Sequence, residues 1–154
     1  MSNLEIRIQR LEDERDILRT IYGYGSALDY GSEAEWADCW APDAVLHWFN
    51  PPYRGAEQIM AAFRAHTHAP QVFHKHFLVN PRISVSGDTA SADSLFARLD
   101  TYPEGPQILA FGRYLDKFVR SSDGRWRFRE RVAEVECARA PPEAVMKFMA
   151  TQKG

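Results

Sequence analysis

The stretch TASADSLFARLDTYPEGPQILAFGRYLDKFVRSSDGRWRFRERVAEVEC, residues 89–137, decides the fold. Three segments in it, 89–101, 107–121 and 125–137, alternate apolar and polar side chains as strands do. Short turn sequences at 103–106 and 122–124 separate them, which leaves no room for crossover helices. The stretch therefore predicts an antiparallel meander of hairpins and excludes a parallel nucleotide-binding sheet.

The chain before this stretch begins with helices. Strands are predicted over 71–79 and 82–86, and helical spacing predicts helices over 3–28, 32–40 and 56–66 with one short strand at 44–49. The apolar stripe of the first helix consists of Leu4, Ile8, Leu11, Leu18, Ile21, Tyr22, Gly25 and Leu28. Helices first and sheet second predict an α+β cone, in which a curved antiparallel sheet wraps the long N-terminal helix and encloses a cavity for a small apolar molecule.

Composition limits the classes of partner. The 154 residues fit one domain, 1–154, and the net charge of −2 gives no field that would attract nucleic acid. Cys39 and Cys137 lack the spacing of a disulfide framework or a zinc site, and no glycine-rich phosphate loop is visible. The charged N-terminus does not resemble a signal peptide or a membrane span. We therefore expect a cytoplasmic protein with no cofactor and no membrane partner.

Asp29 is the first candidate for chemistry. On a helical wheel it falls in the middle of the stripe that contains Ile21, Gly25 and Leu28, so its carboxylate would face the core. The alternative is that Asp29 caps a turn where the chain unwinds into Tyr30 and Gly31. A buried carboxylate is costly without a partner, so the functional interpretation requires a cation or an imidazole opposite it.

The segment around His74 and His76 offers two imidazoles on one face of a strand. Either histidine could be a hydrogen-bonded structural residue. Two histidines at this spacing could also bind a metal, but no third ligand with suitable spacing accompanies them, so no metal site is expected. An imidazole oriented by Asp29 would make a general base.

Other residues are weaker candidates. Tyr24, at the margin of the helical stripe, could donate a hydrogen bond to a substrate oxygen or could only pack. Arg131 could face the cavity and stabilise an anion, or it could belong to a solvated basic face with Arg127 and Arg129. The remaining residues expected to line the pocket are His47, Trp48, Trp40, Phe63 and Asp100.

Five stretches, in this order, resemble the SnoaL-like branch of the nuclear-transport-factor-two superfamily of cone-shaped α+β barrels. They are Ala27-Leu28-Asp29, the segment WADCWAPDA at 36–44, HFLVN at 76–80, GRYLD at 112–116 and DGRWR at 123–127. The spacing is most similar to scytalone dehydratase, bile acid dehydratase and hexachlorocyclohexane dehydrochlorinase.

That resemblance implies an Asp–His pair formed by Asp29 and His76, and a role for Arg131 like that of the late-strand arginine of the dehydrochlorinase. Tyr24 stands where the dehydrochlorinase has a lysine, which favours loss of a hydroxyl group or a proton shift over loss of halide. The branch also contains isomerases, polyketide cyclases, binding proteins and small subunits of dioxygenases, so these alternatives stay open. Relatives suggest a homotrimer or homodimer. The tail 139–154, with Val145, Met146, Phe148 and Met149, is expected to cover the pocket or an interface.

Overall fold

The computed structural model of the chain describes residues 2–139, which form three helices and six strands. In chain order the elements are α1 (Asn3–Tyr30), α2 (Glu33–Asp38), β1 (Trp40–His47), β2 (Tyr53–Arg54), α3 (Gly55–Ala65), β3 (His74–Ser86), β4 (Thr89–Tyr102), β5 (Gly105–Arg120) and β6 (Trp126–Ala138). The apolar tail discussed above lies outside the described residues.

The six strands form one curved, open sheet in the order β2-β1-β6-β5-β4-β3. Strands β3 to β6 pair antiparallel in sequence order, which confirms the predicted meander. Strand β1 instead pairs parallel with β6, a pairing that the hairpin pattern did not predict. The two strands are far apart in the chain and no turn joins them, so their relative direction is set by tertiary packing.

Two predicted strand boundaries moved for local reasons. The segments 71–79 and 82–86 join into the single strand β3, which begins at His74 rather than at residue 71. The chain passes through an irregularity between Val79 and Arg82 without leaving the sheet. Asn80 lies within that irregularity and has a φ of 53°, a conformation that asparagine tolerates better than most residues. Strand β1 begins at Trp40 rather than at residue 44, which shortens the preceding helix to Glu33–Asp38.

Helix α1 has well-formed ends. The Ser2 side chain and the Glu5 side chain bond reciprocally to backbone N–H groups in a capping box, and Gly31 ends the helix with a φ of 77°. The last four turns carry the core-facing stripe, in which Ile17, Tyr24 and Leu28 are fully buried.

The predicted stripe was wrong in the first half of α1 and at Tyr22. Leu4 and Leu11 are 62% and 65% exposed, and Tyr22 is exposed as well. The first buried residue is Asp13, whose two carboxylate oxygens accept hydrogen bonds from Arg120 at 2.6 and 2.8 Å. The helix is longer than the sheet face that it covers, so its first turns extend beyond the sheet.

None of the described helices combines the length and apolar character needed to cross a bilayer.

Four apolar side chains on the outer face of the sheet are exposed: Phe77, Val79, Leu95 and Phe111. The dimer or trimer expected from the sequence stays a prediction.

Gly112 lies at a bulge where β5 and β6 approach closely. A methyl group there would lie 2.0 Å from the carbonyl oxygen of Glu134. We expect Gly112→Ala to lower the free energy of unfolding by about 1–3 kcal/mol, because the strands would have to separate. The measurement is urea denaturation followed by circular dichroism.

Gly23→Ala is the matched control, because its methyl group would meet only the Cys39 sulfur at an ordinary 3.6 Å. Alanine is the better helix former, so this change should raise the free energy of unfolding by about 0.5–1 kcal/mol. Equal effects of the two substitutions would contradict the close approach at Gly112.

Candidate active site

The last turn of α1 places the Asp29 carboxylate against strand β3. Its Oδ1 atom lies 2.8 Å from His76 Nδ1, and both carboxylate oxygens lie 3.2 Å from the backbone nitrogen of His76. A carboxylate accepts hydrogen bonds, so Nδ1 carries the imidazole proton and Nε2 carries the lone pair. Nε2 has no hydrogen-bond partner within residues 2–139, and His76 lines a cavity.

Burial and pairing set the charges of this pair. Burial raises the pKa of the Asp29 carboxyl, but the hydrogen bonds and charge of His76 outweigh burial and hold that pKa below 3.8. Burial also lowers the pKa of His76 below 6.5, against the opposing effect of Asp29. At neutral pH the pair is therefore a carboxylate beside a neutral imidazole, the protonation state that a general base requires.

Gly25, one turn before Asp29, allows this approach of helix and strand. A methyl group at that position would lie 2.7 Å from a Leu78 methyl carbon and 3.6 Å from the His76 carbonyl oxygen. The absence of a side chain at Gly25 thus brings the helix close enough for a short carboxylate to reach His76.

His74 lies beside the pair on the same face of β3 and is only 2% exposed. Its Nε2 atom is 3.7 Å from Asp29 Oδ1, and neither ring nitrogen has a hydrogen-bond partner in the described part of the chain. Burial, with the nearby Arg98 cation, lowers the pKa of His74 to about 3, so this imidazole is neutral.

The cavity next to His76 has a volume of about 120 Å³. That is below the roughly 300–1,000 Å³ of pockets for drug-sized ligands, so we expect a small ligand. The lining residues with aromatic or titratable side chains are Tyr24, Trp48, Phe49, His66, His76, Phe96, Arg98 and Tyr114.

Arg98 is the cation on this cavity wall. Its guanidinium donates to both carboxylate oxygens of Asp100, at 2.7 and 3.0 Å, and its Nη1 lies 3.2 Å from His66 Nε2. His66 Nδ1 is 2.7 Å from the Thr67 carbonyl oxygen, so Nδ1 is the donor and Nε2 accepts from Arg98. This chain of bonds fixes the guanidinium beside the cavity, and it places Asp100 behind Arg98 rather than among the lining residues.

Tyr24 and Trp48 both line the cavity, as expected for a pocket. The Trp48 Nε1 atom donates to the Tyr24 hydroxyl oxygen at 2.7 Å. Tyr24 is fully buried in the middle of the helical stripe rather than at its margin. Burial raises the pKa of Tyr24 well above 10, so its hydroxyl keeps its proton.

Arg131 faces inward, but it is not among the residues that line the cavity. It is 0% exposed, its guanidinium binds both Asp116 oxygens at 2.7 Å, and it lies 4.1 Å from the ring centres of Tyr24, Tyr114 and Phe128. The expectation that it contacts a substrate anion is therefore corrected, since its guanidinium is enclosed in the core and is not part of the cavity wall.

A bulge in β6 explains the orientation of Arg131. Lys117 pairs with Glu130 and Phe118 pairs with Phe128, so Arg129 is an extra residue that reverses the alternation of the strand. Arg131 therefore lies on the inner face with Phe128. It does not belong to a solvated basic face.

Three other predicted pocket residues also lie elsewhere. His47 points to the other face of β1, where its Nε2 lies 3.1 Å from a Glu130 carboxylate oxygen. Trp40 and Phe63 pack against the buried Trp36 ring, with ring centres 5.2 and 5.1 Å from it, and belong to the core. These side chains pack within the aromatic core. Residue type alone does not distinguish an aromatic side chain of the core from one that lines a cavity.

Sequence reasoning missed Arg98, His66 and Tyr114. A signal for Arg98 was present, because Ala90, Ala92 and Phe96 share its strand parity and mark that face of β4 as buried. His66 comes directly after α3, where the sequence pattern gives no direction for the side chain.

Comparisons with known proteins show the family and the fold. Residues 9–132 match the model of the SnoaL-like domain. A search of curated proteins finds no match. A nuclear-transport-factor-two-like protein with a cystatin-like fold from Novosphingobium aromaticivorans has 25% identity and a TM-score of 0.80, covering 93% of this chain and 94% of its own.

Two further solved structures show the fold alone. A protein of unknown function from Mycobacterium tuberculosis has 19% identity and a TM-score of 0.79, with 98% of this chain and 92% of the other covered. A proposed scytalone dehydratase from Novosphingobium aromaticivorans has 23% identity and a TM-score of 0.70, with 83% of this chain and 87% of the other covered.

Proposed function

The chain belongs to the SnoaL-like domain family, and on that premise we propose that it is a lyase that dehydrates a small apolar carbonyl compound. The family includes dehydratases, isomerases and cyclases, so membership alone leaves the reaction open. One observation carries the proposal: Asp29 Oδ1 accepts a hydrogen bond from His76 Nδ1 over 2.8 Å, while the ring that carries the basic Nε2 lines the cavity. The sequence resemblance to scytalone dehydratase favours dehydration among these reactions.

The proposed first step is removal of a proton from the carbon next to the substrate carbonyl. His76 Nε2 takes this proton, and the electron pair of the C–H bond moves into an enolate. Asp29 stabilises the imidazolium that forms and keeps Nδ1 as the hydrogen-bonded donor. The carboxylate stays ionised throughout, because its pKa lies below 3.8.

In the second step the enolate electrons form the new C=C bond as the neighbouring C–O bond breaks. The imidazolium returns its proton to the departing hydroxyl group, so water leaves and His76 is again neutral. Arg98 supplies positive charge on the cavity wall to the enolate, the role that sequence analysis gave to Arg131. Tyr24 accepts a hydrogen bond from Trp48 and keeps its own proton, and in this proposal its hydroxyl donates to the carbonyl oxygen.

A cavity beside His76 favours an enzyme over a dioxygenase small subunit, which needs no interior space. The test is to incubate the protein with a panel of small cyclic β-hydroxy ketones and to analyse the products by mass spectrometry. We expect a product lighter by one water. A product of unchanged mass would assign an isomerase instead, and ligands that bind without reacting would contradict the enzymatic proposal.

A further inference from the structure

His74 is a buried polar side chain whose ring nitrogens bind nothing in the described chain. It is 2% exposed, and both Nδ1 and Nε2 lack a hydrogen-bond partner within residues 2–139. An unsatisfied polar group in the interior is costly and calls for a specific explanation. The pair of Asp29 and His76 does not explain the burial of His74, since His74 makes no hydrogen bond to either residue.

Three potential ligand atoms converge at this place. The ligand atoms of Asp29, His74 and His76 all lie within 4.8 Å of one another. The His76 Nδ1 and His74 Nε2 atoms are 2.8 and 3.7 Å from the same oxygen, Asp29 Oδ1. A metal with bonds of about 2.0–2.1 Å in a tetrahedral site holds neighbouring ligand atoms about 3.3 Å apart, a value between these two distances.

The donor set also has the right chemistry. Two imidazoles and one carboxylate are ligands that Zn²⁺ and similar divalent ions prefer. Spacing along the sequence did not indicate this site, because the third ligand comes from α1, which is distant in the chain from the two histidines of β3.

We propose that Asp29, His74 and His76 form a binding site for a divalent transition-metal ion such as Zn²⁺. Binding itself does not depend on the proposed reaction. A further consequence does: a metal on His76 Nδ1 leaves the single proton of the neutral ring on Nε2, the atom that would take the substrate proton. The metal-bound protein would therefore lack its base, and Zn²⁺ would inhibit turnover reversibly.

The test is isothermal titration of the full chain with Zn²⁺, carried out with Cys137→Ser so that the exposed thiol does not bind the ion. We expect one site per chain. His74→Phe should weaken the affinity at least about tenfold, since even residues that only support metal ligands contribute that much. His47→Phe is the matched control, because it removes another histidine paired with a carboxylate, and it should leave the affinity unchanged.

A second readout needs no substitution of a ligand. Nitrogen NMR of the wild-type protein should show that Zn²⁺ shifts the ring signals of His74 and His76 and leaves those of His47 in place. Equal Zn²⁺ affinity in His74→Phe and wild type, or ring shifts confined to His47, would overturn the proposal. These measurements are independent of turnover, so they separate failure of the metal site from failure of the proposed dehydratase.

Discussion

Replacement of His76 by glutamine is expected to lower turnover on the true substrate by about a hundred- to ten-thousand-fold, the usual contribution of a general base. Glutamine can still donate a hydrogen bond to Asp29 but has no lone pair of comparable basicity to offer the cavity. Ligand affinity should change much less, because the apolar walls of the cavity remain. Steady-state kinetics and a direct binding assay measure the two effects separately.

Asp29→Asn should reduce turnover over the same range, because it removes the negative charge that orients His76 and stabilises its charged form. The double variant should be little worse than either single variant, since the two residues act as one unit. His47→Gln is the matched control, a histidine–carboxylate pair outside the cavity, and should keep wild-type turnover. Multiplicative losses in the double variant would contradict a coupled pair.

Asp116→Asn is expected to lower the free energy of unfolding by about 3–5 kcal/mol, because it leaves a buried guanidinium without its counter-charge. Arg131 is 0% exposed, and both of its bonds to Asp116 are 2.7 Å long. The surrounding rings of Tyr24, Tyr114 and Phe128 attract the cation but do not accept its N–H bonds as a carboxylate does. Urea denaturation gives the value.

The matched control is Glu134→Gln, which weakens an ion pair on the sheet surface. Glu134 pairs with Arg113 where both side chains are exposed, so the loss should stay below about 1 kcal/mol. If Asp116→Asn cost no more than Glu134→Gln, the buried pair would not be a main support of the wall beside Tyr24.

The elements predicted best are those whose pattern is local. The meander from β3 to β6 follows from alternation and short turns, and α1 follows from helical spacing without proline. The parallel pairing of β1 with β6 could not be predicted in this way, because it joins distant segments and no turn sequence encodes it. The exposed first turns of α1 show the same limit, since the length of sheet beneath a helix is a tertiary property.

The site shows a similar division. The placement of Asp29 on the core stripe could be derived from the helical wheel, and its pairing with His76 came from family resemblance. Strand parity left Arg131 between the inner face and a solvated basic face, because the extra residue Arg129 shifts the parity of β6 just before Arg131. The alternation of β4 could have shown that Arg98 lies on its buried face. Arginine is rarely buried, however, so the position of a cation on that face did not identify it as part of a site.

If His76 removes a proton from a carbonyl compound in the cavity, hydrogen–deuterium exchange detects this step by itself. Cyclohexanone and tetralone are small cyclic ketones without a leaving group, so proton removal in heavy water would exchange their α-hydrogens without further reaction. We expect the wild-type protein and His47→Gln to accelerate the exchange, and His76→Gln to leave it near the uncatalysed rate. Equal exchange rates in the wild type and His76→Gln would contradict it.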